Sequence, residues 1–403
     1  MLFKIAWRNI WRNPTRSLVI ILAIAIGLWA AIFLLAFSWG MNEQRVREAI
    51  NNEVSHFQVH APRFKENYSP RLVIPGGDKV LDQLRKEQPV DAVTWRVVTM
   101  GMIGSAKTSN SVRINGIDPP QEAAVTHLKE KLVEGSYFEE NRNPVIISRR
   151  LARKLNVKLH SKVVITMQDA GHNIVSGAFR VTGLFETNNS IYDDSNVFVK
   201  GTGLQQLLGI GDGFHEIAVI LKQNDQLDAL LAKYRQAYPG LRFESWKELM
   251  PEIQFMTDAF QQMMNIILVI VLLTLAFGLA NIMLMAVLER VREIGLLMAV
   301  GMNKVKVFWM VMLETFCLSL AGSPAGILLG YLTVTLLGRT GINLSFYAEG
   351  LSTFGYGNLV YPVLDAHYYV QIALEVVFIT LAAAVFPAYK AVKLRPVEAI
   401  RKI

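Results

Sequence analysis

The sequence predicts an α-helical membrane protein with four transmembrane helices and an extracytoplasmic α/β domain that carries an inserted β-rich subdomain. Three observations lead there. Four apolar runs, 17–40, 263–288, 307–338 and 368–387, approach or exceed the roughly 20 residues a helix needs to cross a bilayer. Basic residues beside them collect on one side: Lys4, Arg8, Arg12 and Arg16 before the first, Lys304 and Lys306 after the second, and Lys390, Lys393, Arg395, Arg401 and Lys402 after the last. That is the bias of a cytoplasmic face. The third observation is the stretch 42–262, where no run spans and strand-like alternation mixes with helical periodicity. Composition agrees: 52% hydrophobic and 18% charged is more apolar than a soluble chain, without being purely membranous. The net charge of +8 is accounted for by the residues flanking the spans, so no nucleic-acid partner is expected.

In order along the chain, 1–16 sets Leu2, Phe3, Ile5, Ala6, Ile10 and Trp11 against Lys4, Arg8, Arg12 and Arg16, the pattern of an amphipathic helix on an anionic cytoplasmic leaflet. The run 17–40 is a retained first span, since a signal peptide's apolar region is about half as long. Ala23, Gly27 and Ala31 give it a small-residue face. Because that span heads outward, 42–262 lies outside, with strands expected near 54–60, 93–103, 111–117, 163–167, 179–184, 196–199 and 216–221 and helices near 79–87, 148–155 and 227–238. Helices frame its ends, and the middle, about 132–199, reads as the β-rich insertion. A helix from Trp246 is expected to run into the second span, 263–288, joining it rigidly to the outer domain. A charged connector, 289–306, leads to the third span, 307–338, where Gly322, Pro324, Gly326 and Gly330 predict a kink and a close-packing face. An outer loop, 339–367, the fourth span, 368–387, and a basic cytoplasmic tail, 388–403, complete the chain. The only cysteine, Cys317, lies inside a span, so no intrachain disulfide is expected.

The connector carries the strongest local signal. Glu289, Arg290, Arg292 and Glu293 open it and Lys304 and Lys306 close it, while Ile294, Leu296, Leu297, Ala299 and Val300 keep one side apolar. That describes an amphipathic helix at the membrane face, ended near Gly301 and built like a docking surface. Other candidates are weaker. Gly101–Thr108 nearly spells a phosphate-binding loop, but Ala106 stands where the pattern requires glycine, so nucleotide hydrolysis by this chain is not expected. His56 and His60 on one strand would sit about 13 Å apart, too far for a single metal. No catalytic residues and no metal site are predicted. Glu314 and Glu375 fall inside spans, where ionisable groups are costly. Pairing with a base, snorkelling or a hydrogen bond to a neighbouring helix accounts for them better than a proton relay.

Three segments, 6–17 (AWRNIWRNPTRS), 292–301 (REIGLLMAVG) and 387–401 (PAYKAVKLRPVEAIR), resemble the signatures of MacB/FtsX-type ABC transporter permeases, in the same order around the same four-span layout. The resemblance implies a permease that pairs with a second copy or paralogue and binds a separate cytoplasmic ABC ATPase. That ATPase would hold ATP and Mg, leaving no cofactor in this chain. Coupling to it would fall to 289–306, with Glu289, Arg290, Arg292, Glu293, Gly295, Gly301 and Met302 as the coupling residues. Because the sequence opens at the permease, the ATPase is expected on another polypeptide. The outer domain is expected to be porter-like, moved by ATP-driven mechanotransmission. Segment 179–199 (FRVTGLFETNNSIYDDSNVFV) and the long outer loop are similar to the lipoprotein-releasing branch, LolC/LolE. That branch implies a lipoprotein cargo, a periplasmic acceptor and a bacterial inner membrane, with both termini cytoplasmic and the large domain periplasmic. Cargo would enter between first and second spans, at Phe33, Leu34, Phe37, Met263, Met264 and Ile267, residues chosen for apolarity and depth. The alternatives are tripartite efflux of amphiphiles or peptides, and an FtsX-like scaffold that signals to an external hydrolase.

Overall fold

The computed structural model describes residues 7–8, 11–12, 14–138 and 143–393. Most of the expected interfacial helix, at 1–6, 9, 10 and 13, and the tail from 394 onward lie outside the described residues. The chain forms two compact units, one holding the long helices and the other comprising Glu43–Met256 and Leu344–Asn358.

The helical unit contains most of α1 (Pro14–Ala49) and of α2 (Pro251–Glu289), together with α3 (Val291–Ala299), α4 (Lys304–Thr340) and α5 (Ala366–Val392). Helices α1, α2, α4 and α5 are long and apolar enough to cross a membrane. The apolar runs end at 40 and begin at 263, whereas the helices persist through polar 41–49 and 251–262. Apolarity marks the part of a helix that suits lipid, while the backbone continues through good helix formers such as Gln44, Arg45 and Glu48. One π-helical turn, Ile50–Val54, ends the first of them. Small residues set the packing. A Cβ on Gly326 would come within 2.8 Å of the Ala25 carbonyl oxygen, and one on Gly330 within 2.8 Å of Ile32 Cγ2, so α1 and α4 approach backbone to backbone. Ile24, Leu28 and Ile32 of α1 fill the interior with Leu279 and Met283 of α2, Val311 and Leu318 of α4, and Ile372 and Val376 of α5. Pro324 lies within α4, which continues on both sides of it.

Among the described residues the second unit is built on ten strands: β1 (Phe57–His60), β2 (Val90–Gly104), β3 (Ser109–Ile117), β4 (Leu132–Gly135), β5 (Pro144–Ser148), β6 (Lys162–Gln168), β7 (Ile174–Phe185), β8 (Asn196–Lys200), β9 (Glu216–Leu221) and β10 (Arg242–Ser245). Their order is β10-β1-β9-β2-β3-β8-β5-β7-β4, and β6 pairs with β2 and β7. The pairs β3–β8 and β5–β7 are parallel. Helices Gly77–Arg85 and Leu227–Ala237 bury Val80, Leu81 and Leu84, and Leu230, Leu231 and Tyr234, as an amphipathic pattern requires. The segment 132–199, expected as a separate insertion, shares this one sheet. Strand β8 joins β3 from Arg113↔Asn196 to Ile117↔Lys200, and β6 joins the far end of β2. The cause is the length of β2. It pairs with β9 up to Arg96 and with β3 from Arg96 onward, so it belongs to both halves. The outer loop is divided too, because 344–358 belongs to the sheet unit, where Arg45 Nε donates to the Phe354 carbonyl at 2.8 Å.

Candidate functional site

The connector between α2 and α4 folds as a short helix between two tight corners. Arg290 sits between the end of α2 and α3. At the far end Gly301 N donates to Met298 O at 3.1 Å and Met302 N to Leu297 O at 2.9 Å, with Gly301 at φ +100. These two bonds make a Schellman motif, which needs a residue tolerant of positive φ. Asn303 then caps α4 by accepting from Val305 N at 3.3 Å.

Not all coupling candidates share one surface. Glu289, Arg292, Glu293 and Gly301 are exposed, together with Leu296 and Val300, the latter 83% exposed. Gly295 is buried and Met302 half-buried against the bundle. Arg290 is also buried, with Nη1 at 3.1 and 3.4 Å from the two carboxylate oxygens of Glu314. Its place on a docking face is therefore corrected: a guanidinium this deep needs a counter-charge, and Glu314 of α4 supplies it. Arg16 of α1 approaches the same carboxylate at 3.6 Å and donates to the Ala286 carbonyl at 3.2 Å. Arg12 pairs with Glu293. Glu375 accepts from Gln371 Nε2 at 3.0 Å, one turn earlier in α5.

The proposed cargo residues lie on the first two long helices. On α1, Phe33, Leu34 and Phe37 are half-buried, and rings of Trp29, Phe33 and Phe37 follow one another at 6.2 and 6.3 Å. Trp29 Nε1 donates to Thr333 Oγ1 at 3.0 Å, which holds this ladder against α4. On α2, Met263 is exposed and Met264 and Ile267 are half-buried.

Sequence reasoning missed a buried charge network in the sheet unit. Arg96 on β2 makes a bidentate bond to Glu122 (2.8 and 2.9 Å) and reaches Glu216 on β9 at 2.7 Å. Arg113 on β3 and Lys65 also reach Glu216, at 2.9 and 3.4 Å. Burial raises the proton affinity of Glu216, but Lys65, Arg113, His60 and Arg96 outweigh it and hold the carboxyl well below its usual range. Burial lowers Lys65 to about 8 despite the opposing pull of Glu216. The signal was present in the sequence: a lone charge within apolar strands, as in 95–98 (WRVV) and 216–221 (EIAVIL), must find a buried partner. His60 joins this network, 3.4 Å from Glu216, whereas His56 accepts from Leu221 N at 3.2 Å. Among the described residues no group of three or more His, Cys, Asp or Glu is placed to hold a metal. The phosphate-loop look-alike forms the end of β2 and its turn, where a Cβ on Gly101 would meet the Thr166 carbonyl oxygen at 2.6 Å.

Comparison with known proteins divides the chain differently, placing the first long helix with the sheet unit. The MacB-like periplasmic core domain matches 17–237, and the FtsX-like permease C-terminal domain matches 265–396. The chain is 23% identical to the macrolide export ATP-binding/permease protein MacB of Campylobacter jejuni, over 99% of this chain and 61% of that protein. It is 24% identical to the pyoverdine export ATP-binding/permease protein PvdT of Pseudomonas fluorescens, over 85% of this chain and 53% of that protein. The chain thus spans between half and two thirds of the length of these relatives. Among solved structures it is similar to the periplasmic region of MacB from Actinobacillus actinomycetemcomitans, at 15% identity and a TM-score of 0.36, covering 52% of this chain and 95% of that one.

Proposed function

This chain belongs to the ABC transporter permeases of the MacB/FtsX type, and we propose that it converts ATP hydrolysis by a separate cytoplasmic ATPase into motion of its sheet unit. Two permeases, identical or paralogous, would bind two copies of that ATPase, which supplies the ATP and Mg sites. The membrane would be a bacterial inner membrane, with both termini cytoplasmic and the sheet unit periplasmic. The observation that carries this reading is α3: a short helix between two membrane-length helices, sharply cornered at Gly301, with Glu289, Arg292, Glu293, Leu296 and Val300 exposed. Charged residues around apolar anchors make a surface suited to a protein partner.

The cargo we propose is a lipid-anchored protein, released to a periplasmic acceptor after its acyl chains pass along Phe33, Leu34 and Phe37 of one copy and Met263, Met264 and Ile267 of the other. Efflux of an amphiphile through an adaptor and outer-membrane duct is the second reading, favoured by the export roles named for the MacB and PvdT relatives. A signalling scaffold that transports nothing is the third.

Capture of the tagged chain from its native membranes should bring down an ATPase, and replacing Glu293 and Gly301 together by alanine should lower its turnover or its capture. Normal coupling in that variant contradicts the docking role of α3. Photocrosslinkers at the six cargo positions should trap a lipid-modified protein, and crosslinks only to a soluble peptide or drug exclude lipoprotein release.

A further inference from the structure

Arg12 and Arg16 are four residues apart, the spacing that puts two side chains on one side of a helix. Both reach the corner around α3. Arg12 pairs with Glu293, in the first turn of α3. Arg16 lies 3.6 Å from Glu314 and donates at 3.2 Å to the Ala286 carbonyl, in the last turn of α2. The same Glu314 lies 3.1 Å from Arg290, the residue that leads into α3. One carboxylate therefore ties α1, α4 and the α2–α3 corner together.

The charge of this cluster separates two roles. Glu314 and Arg290 already form a neutral pair, with side chains only 8% and 10% exposed. Arg16, at 16% exposure, adds a second cation, whose burial is costly and is offset in part by the carbonyl end of α2. Neutralising Glu314 does not require it. What Arg16 adds is a connection from the first helix to the corner.

We propose that Arg16 and Glu314 are positioning residues that lock α1 to the docking corner, so that displacement of α3 passes directly to the first span. The proposal rests on the reading of α3 as the ATPase-docking element. Without the lock, motion would reach α1 through the exposed Arg12–Glu293 pair, the Trp29–Thr333 hydrogen bond and apolar contacts such as Gly27–Leu275 and Gly326–Leu28, which yield more easily than a buried ion pair.

The test uses the full chain, captured with its ATPase and placed in lipid nanodiscs, with Cys317→Ser and Met41→Cys as background. Met41 is half-buried just past the end of the apolar run 17–40 of α1, so its rate of modification by a polar maleimide reports movement of that part of the helix. In the parent the rate should differ between nucleotide-free and ADP-vanadate states. Arg16→Gln should abolish that difference while the ATPase stays bound and active, Glu314→Gln should abolish it as well, and Arg16→Lys should restore part of it. Arg16→Gln is the deciding variant: it leaves Arg290 and Glu314 as a neutral pair, so a merely structural cluster predicts no loss. Loss in Glu314→Gln alone, or a full nucleotide response in Arg16→Gln, overturns the lock. Absence of any captured ATPase in the parent instead overturns the docking reading, and the lock with it.

Discussion

Gly301 holds φ at +100, an angle that side chains with a Cβ rarely adopt, and nothing lies within 4 Å of where that Cβ would stand. The glycine is required by the backbone alone, so Gly301→Ala should cost about 1 kcal/mol or somewhat more, read as a lower thermal midpoint of the detergent-solubilised chain. Its place as a helix end was legible, because a glycine after an apolar-periodic run is a stop signal. The inward turn of Arg290 was not. In one dimension Arg290 and Arg292 look equivalent, and the partner that separates them, Glu314, lies on another helix. The sheet unit offers a pH test at the same scale. Glu216 is held below its ordinary 4.5, so the native state binds that proton less readily than the unfolded chain. Its stabilisation is present above pH 4.5 and is lost as pH falls below it. Glu216→Gln, which leaves Arg96, Arg113 and Lys65 short of a buried counter-charge, should cost about 3–5 kcal/mol at pH 7 and flatten the acid limb. Denaturant unfolding followed through Trp95 and Trp246, at pH 7 and in steps downward, reads both effects.

Between helices, two glycines give opposite expectations. Gly326 faces the backbone of α1, so Gly326→Val should cost about 1–3 kcal/mol by forcing α1 and α4 apart. Gly278, on α2, has nothing within 4 Å, and Gly278→Ala should be neutral or stabilising by about 0.5–1 kcal/mol, because alanine is the better helix former. Thermal aggregation in detergent ranks the two against the parent. In the sheet unit Arg45 donates to Phe354 and lies against Gly355, so Arg45→Ala should release 344–358 and speed its cleavage by an added protease. The four spans were legible because a bilayer demands long apolar runs, and nothing else in the chain supplies them. Helix lengths were less so, since Gln44, Arg45 and Glu48 carry no lipid signal. Strand existence was largely legible from alternation. Strand partners were not: pairing β3 with β8 joins residues more than 80 positions apart, and no local pattern encodes that.

For the molecule as a whole, basic residues near the span ends account for the net charge of +8, and the family match covers both units. The four membrane-length helices and the permease family therefore followed from residue order alone, through apolar runs and three short signatures. The charge network and the lock did not, since each is assembled from segments that only the fold brings together. One further consequence belongs to β2, the strand common to both halves of the sheet. Pulling along it loads its lateral hydrogen bonds to β3, β6 and β9 in shear, so that several must fail at once, whereas a sheet split into two pieces would unzip bond by bond. A pull along β2 would thus meet a stiff sheet with little give, as in a tie rod.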